Sequence, residues 1–293
     1  MLKYPYIRIT DTEELFKRLE TEGGRILAGG TDLMLKIKHG MARPKAVYDI
    51  SGIERLCHIT EDKGGLYIGA AVKLRDIVND PKIKEHAPLL SKFAEEIGSM
   101  EVRSMGTIGG NLCASRANCG VCFLPGCRAM TADRTVLPCR NSAYADLLLP
   151  LVAYGASVKI ESASSSRTVS VKDFFAGSGK IDLKPQELLS EVIVPKESKE
   201  AKFGVAELRQ PVKMGFPYIS VIAEAKAENF NITVGGSTDK IYTFENVKSG
   251  EEGCTCAGAG FLEALRLSKE YRKEVLASVI REAIEKCGQE TLK

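Results

Sequence analysis

The chain has no tryptophan, and aromatic residues make up only 6% of its 293 positions. Histidine is nearly as scarce: His39, His58 and His86 are all there are, and they sit in unrelated segments. No Ser/His/Asp constellation can be built from them, and each reads as a surface or capping residue. No apolar run approaches the roughly 18 residues that span a bilayer, so a membrane-spanning helix is not expected. The opening residues, MLKYPYIRITDTEELF, lack an apolar signal core and a cleavage site, and a cytoplasmic protein is expected. An excess of one charge is also missing. The 41 basic and 38 acidic residues are spread evenly for a net +3, without a basic block or aromatic-interleaved patch, and nucleic acid is not expected as a partner.

What is present begins with apolar content of 44%, enough for one large core or several modest ones without metal or disulfide staples. The nine cysteines therefore need another explanation, since a reducing compartment makes structural disulfides rare and an odd number pairs badly. Four of them, Cys119, Cys122, Cys127 and Cys139, follow an x2, x4, x11 spacing through NCGVCFLPGC and TVLPCRN. Four thiolates on a backbone broken by glycine and proline are the ligand set of tetrahedral zinc and of iron–sulfur clusters alike. Spacing leaves both open, with plain or redox-labile thiols as a third reading. Cys57, Cys113, Cys254, Cys256 and Cys287 are scattered and read as buried free thiols.

Along the chain, ITDTEELFKRLE places Asp11 three residues before Glu14, with Leu15, Phe16 and Leu19 on one helical face: a capping box opening an amphipathic helix. RILA reads as a strand entering the GGTD turn, LMLKIKHG as a helix, and AVYDI and GLYIGAAV as buried strands. LLSKFAEEI is helical and leads into RSMGTIGGNL. YADLLLPLVAYGA is an apolar helix closed by Gly155, and SVKIESASSSRTVSV is a hairpin. VKDFF and AGSGKIDLKPQ form the candidate linker. Beyond it, LLSEVIVP, FGVAEL, YISVIAEAKA and NFNITVGG read as a meander, and a terminal helix carries Leu276, Val279, Ile280, Ala283 and Ile284 on one face.

Two glycine segments stand out, AGGTDL and TIGGN. Paired glycines permit positive φ and close backbone approach, and successive N–H groups in such turns form anion-binding concavities. Either segment alone reads as a tight turn. Together, each flanked by Thr31 or by Thr107 and Asn111, they suit a ligand with two linked phosphates. Neither matches the dinucleotide Rossmann fingerprint or the P-loop.

The series ILAGGTDL, YDISGIERL, GLYIGAAVKLRDI, GTIGGNLC, DLLLPLVAYGASV, ELLSEVIVP and SKEYRKEVLASVIREAI resembles, over nearly the whole chain, the FAD-binding medium subunit of the molybdenum hydroxylases. The resemblance implies an α+β fold: a two-subdomain FAD-binding domain of the vanillyl-alcohol-oxidase (PCMH) type over 1–176, divided at about 55, then a domain of antiparallel sheet and helices over 183–288. It also implies that Leu27, Ala28, Gly29, Gly30, Thr31, Asp32 and Leu33, with Thr107, Ile108, Gly109, Gly110 and Asn111, wrap the FAD pyrophosphate, largely through backbone N–H groups. Asp146 would reach the flavin's polar chain, and the backbone at Leu189 its ring; taken alone, Asp146 reads equally well as a helix N-terminal charge. Glu207 stands where many relatives carry lysine. A negative group beside a flavin disfavours its reduced anionic form, and Glu207 is expected to face solvent instead.

The Cys-rich stretch, about 114–142, reads as an insertion similar to the 4Fe–4S-bearing one of the 4-hydroxybenzoyl-CoA reductase medium subunit, though shorter and differently spaced. Cys119, Cys122, Cys127 and Cys139 are then the expected cluster ligands, with Cys113 a possible replacement for Cys119. The implied function is that of an electron-transfer subunit with no catalytic residue of its own. It would work beside a large molybdopterin-binding subunit and a small 2Fe–2S subunit, and exchange electrons through FAD with NAD, a quinone or ferredoxin. The alternatives are a stand-alone flavin oxidoreductase and a zinc-bearing non-catalytic subunit.

Overall fold

The structure, a computed structural model, describes residues 4–40, 42–114, 146–177, 180–209, 217–236, 238, 240–251, 255–261 and 267–287. Its sheets divide the chain into three units. The first is a parallel sheet of three short strands, β1 (Tyr6–Arg8), β2 (Arg25–Leu27) and β3 (Val47–Asp49), in the order β1-β3-β2. Helix α1 (Thr12–Thr21) links β1 to β2. Asp11 caps it by accepting from the Glu14 N–H at 3.2 Å, and Leu15, Phe16 and Leu19 are buried. The reciprocal half of the capping box is not made, because Glu14 pairs instead with Arg18 at 2.9 Å. Beyond β2 the chain passes through the first glycine segment into α2 (Leu33–Lys38).

The second unit is an antiparallel sheet of β4 (Ile59–Glu61), β5 (Gly65–Gly69), β6 (Ser157–Glu161), β7 (Ser166–Ser170) and β8 (Leu188–Pro195), in the order β4-β5-β8-β6-β7. Beside it lie α3 (Leu74–Asn79), α4 (Pro81–His86), α5 (Pro88–Glu95), α6 (Met100–Met105), α7 (Ile108–Ala114) and α8 (Leu148–Ala153). Leu66, Ile68, Leu90, Ile108, Leu148, Val158 and Val192 share its core.

Strand β8 departs from expectation. LLSEVIVP reads from sequence as the first strand of the second domain, yet it fills the centre of this sheet, hydrogen-bonded to β5 on one side and β6 on the other. The stretch expected to be a linker is tied down as well. After the short α9 (Val171–Phe174), the Asp182 N–H donates to the Phe174 carbonyl at 2.8 Å, and Arg167 pairs with Asp182 at 2.5 Å and Glu187 at 3.1 Å. The expected second-domain start at 183 therefore falls inside this unit.

The third unit is a four-stranded meander, β9 (Phe203–Arg209), β10 (Pro217–Lys226), β11 (Asn229–Gly236) and β12 (Tyr242–Val247), covered by the terminal helix α10 (Lys269–Cys287). The expected apolar stripe on α10, Leu276 to Ile284, is buried. Gly204 allows this contact: a Cβ there would stand 2.0 Å from the Ala283 carbonyl oxygen. The second and third units share apolar surface, since Phe203, Ile222 and Ile241 join the core containing Leu149 and Tyr154. The Tyr154 and Phe203 rings meet edge-on, 4.9 Å apart.

His39 caps α2 and is exposed, and His58 is a part-exposed partner of Glu191 at 2.8 Å. His86 is not at the surface. It is fully buried, with Nε2 3.0 Å from the Pro195 carbonyl and Nδ1 3.4 Å from Glu61. Of the scattered cysteines, Cys256 and Cys287 are buried, Cys113 is half-buried and Cys57 is exposed. None of the described helices is long and apolar enough to cross a membrane.

Candidate functional site

β2 ends at Leu27 alongside Asp49 of β3, and the chain leaves the sheet's C-terminal edge through Ala28–Asp32. Gly30 has φ +75°, a conformation L side chains avoid. Gly29 has a different reason to be glycine. A Cβ there would lie 2.1 Å from the Met105 carbonyl oxygen and 2.7 Å from the Gly106 Cα, so the first glycine segment rests directly on the backbone that enters the second. Among the described residues, the N–H groups of Gly29, Gly30, Thr31 and Asp32 make no hydrogen bond within the chain. Four consecutive uncommitted donors on half-buried residues are a donor set suited to an anion.

The second segment behaves otherwise. Thr107 bridges to Lys73, with Leu74 N–H donating to Gly106 O at 2.9 Å and Ile108 N–H to Val72 O at 3.1 Å. The chain then enters α7 at once, so Gly109, Gly110 and Asn111 are helical rather than looped. Gly109 N–H donates to Ala70 O at 3.0 Å, Gly110 N–H to the Thr107 hydroxyl at 3.1 Å, and Asn111 N–H to Thr107 O at 2.8 Å. Of the second segment's N–H groups, those of Ile108, Gly109, Gly110 and Asn111 are thus committed within the chain, while that of Thr107, like the four from Gly29 to Asp32, makes no hydrogen bond among the described residues. The Thr107 side chain is buried, that of Asn111 is half-buried, and Gly109 admits close packing: a Cβ there would meet the Ala70 Cβ at 2.7 Å.

Asn111 ties this helix to Asp146. Its Oδ1 accepts from the Leu147 N–H at 3.3 Å, and its side chain also hydrogen-bonds the Asp146 carboxylate. Crowding by protein pushes the Asp146 pKa up to about 6, against the opposing pull of its own backbone N–H, Asn111 and Arg209. Leu189 has its side chain in the core, which leaves only its backbone to face a ligand. That backbone borders a bulge of β8 against Lys159 and Ile160, where the Ser190 hydroxyl donates to Lys159 O at 3.3 Å. Ser190 O accepts from Ala70 N–H at 2.9 Å, and Ala70 O in turn from Gly109, so Leu189 lies beside the second segment.

Glu207 does not face solvent. Its side chain is 15% exposed, accepts from Arg209 Nε at 2.5 Å and from the Ser220 hydroxyl at 2.6 Å. Arg209 also pairs with Glu96, at the end of α5, and so joins the third unit to the second. Burial pushes the Glu96 carboxyl upward, with Arg209 opposing. Both Arg209 and Glu207 act on Asp146, with opposite signs. The sequence reading missed Arg209, Glu96 and Ser220. Arg209 and Glu207 alternate on one face of β9, a pattern legible in FGVAELR, whereas Glu96 and Ser220 carry no local signal.

The expected metal ligands Cys119, Cys122, Cys127 and Cys139 lie outside the described residues. Among the described residues, no group of His, Cys, Asp and Glu side chains is placed to hold a metal ion. Cys113, in α7, packs against the core of the second unit.

The family described as "FAD binding domain in molybdopterin dehydrogenase" matches residues 2–197, a span that ends just past β8. The glyceraldehyde dehydrogenase medium chain of Sulfolobus acidocaldarius is 30% identical over 194 residues, 66% of this chain and 60% of that one. The chain thus spans about three fifths of that relative. The nicotine 6-hydroxylase medium subunit of Paenarthrobacter nicotinovorans is 25% identical, over 99% of this chain and all of its own. Among solved structures, quinoline 2-oxidoreductase from Pseudomonas putida 86 superposes with TM-score 0.80 at 20% identity, covering 98% of both chains. Reconstituted CO dehydrogenase from Oligotropha carboxidovorans gives 0.79 at 18% identity, covering 98% of this chain and 99% of that one. At such identities the likeness is one of fold.

Proposed function

From the premise that this chain belongs to the family of FAD-binding domains of molybdopterin dehydrogenases, we propose that it is the flavoprotein medium subunit of a multi-subunit molybdenum hydroxylase-type oxidoreductase. The observation that carries this reading is the run of four uncommitted N–H groups at Gly29–Asp32, with Gly29 seated on the backbone of Met105 and Gly106. This donor set fits the diphosphate of FAD. Thr31 and Asn111 would add side-chain polarity and Thr107 its N–H, Asp146 would accept from hydroxyls of the flavin's polar chain, and the backbone at Leu189 would border the ring. When bound, FAD supplies the redox chemistry. This chain's own residues bind it, orient it and fix its charge surroundings.

In the proposed complex a large subunit carries the molybdopterin and a small one the 2Fe–2S clusters. Electrons pass between those clusters and an outside acceptor or donor (NAD, a quinone or ferredoxin) by way of this subunit. Cys119, Cys122, Cys127 and Cys139 are proposed as ligands of an additional 4Fe–4S cluster, a reading supported by their spacing and by their position between α7 and Asp146. Anaerobic purification followed by an absorption spectrum and iron and sulfide analysis tests both parts. Flavin bands with about four irons per flavin are expected. Flavin without iron removes the extra cluster, and a colourless protein that takes up no FAD removes the function.

A further inference from the structure

The segment Gly29–Asp32 contains a contradiction: Asp32, a carboxylate, supplies one of the N–H groups that would face a diphosphate. On the next turn, Lys36 places its ammonium 2.5 Å from the Asp32 carboxylate. The Lys36 side chain is only 8% exposed, while Asp32 is 35% exposed. An ammonium has three donors, and among the described residues Asp32 is the one acceptor that Lys36 meets. A lysine taken out of water for a single carboxylate partner is poor value for folding alone, since desolvation of the two charges consumes most of their attraction. The surrounding stretch is also one-sided in charge. Between Gly24 and Tyr48, Arg25, Lys36, Lys38, Arg43 and Lys45 face a single acidic residue, Asp32.

We propose that Lys36 is a positioning residue for the anionic ligand: it neutralises Asp32 and holds that carboxylate back, so that an aspartate can stand in a diphosphate-binding turn. The inference rests on the reading that this turn holds the FAD diphosphate. Without Lys36, the Asp32 carboxylate would face the phosphates uncompensated. Without Asp32, the ammonium would turn its charge and donors to the phosphates themselves. The two residues are thus opposed in their effect on affinity and coupled to each other.

The test is titration of flavin-free full-length chain with FAD, followed by flavin fluorescence at two ionic strengths, with riboflavin, which has no diphosphate, as the control ligand. Lys36→Met should weaken FAD roughly tenfold to a hundredfold and leave riboflavin unchanged. Asp32→Asn/Lys36→Met should recover to within about threefold of the parent chain. Asp32→Asn alone should bind FAD more tightly, with steeper salt dependence, which keeps the test decisive if Lys36→Met does not fold. Parent-like FAD affinity in Lys36→Met, a double variant as weak as Lys36→Met, or weakened binding in Asp32→Asn overturns the inference. Failure of the parent chain to bind FAD overturns the underlying reading, and the inference with it.

Discussion

Asp146 is a carboxyl group held part-buried by the chain's own crowding, and its ionisation is set against folding. In an unfolded chain it titrates near 3.8, in the folded one at about 6. Because the folded value is the higher, its contribution to stability is complete below about pH 4 and is lost as pH rises through 6. Replacing it with asparagine removes the titration. The stability of Asp146→Asn relative to the parent should therefore grow between pH 4 and 7, by no more than about 3 kcal/mol, in denaturant titrations of the flavin-free chain. A difference independent of pH would mean that the carboxyl is solvated like any surface aspartate. FAD affinity should fall in the same variant, because an amide accepts less strongly from hydroxyls than a carboxylate does.

At the scale of elements, Arg209 on β9 and Glu96 at the end of α5 clasp the third unit to the second, with Glu207 balancing the arginine's charge. These side chains are part-exposed, so Arg209→Ala should cost only about 1 kcal/mol, most of it from Glu96, Glu207 and Asp146 left facing one another. Glu207→Gln in the Arg209→Ala background should restore the denaturation midpoint. An unrestored midpoint would show that packing of the arginine, not its charge, was lost. Expectation from sequence succeeded for elements whose signal is internal. The stripes of α1 and α10 and the β6–β7 hairpin needed no knowledge of partners. It failed where the partner decides. LLSEVIVP alternates like any strand, and nothing in it says that β5 and β6 lie on either side. TIGGN reads as a loop because glycine disfavours helices, but Gly109 admits the Ala70 contact, and α7 begins there. At the candidate site, the glycine segments stand out by their paired glycines, and Asp146 and Leu189 are expected there only through family resemblance, while Glu96, Ser220 and Lys36 emerge only from contacts made in the fold.

Taken whole, the molecule has cores that are not independent. Phe203, Ile222 and Ile241 of the third unit lie in the core of the second, so the described chain should unfold in one transition. With no tryptophan to report, far-ultraviolet circular dichroism and hydrogen exchange on peptides from β5 and β10 are suitable probes, and their midpoints should coincide. Ile241→Ser, which puts a hydroxyl into that shared core, should destabilise by about 2–4 kcal/mol and separate the two midpoints. Coincident midpoints in the variant would place the coupling elsewhere. The bare backbone contact between Gly29 and Met105–Gly106 bears on time rather than affinity. No side chain stands between the two segments to swing aside, so this contact opens only when the two backbones themselves part. A ligand enclosed by that contact would leave at the pace of that separation rather than at the pace of a side-chain rotation.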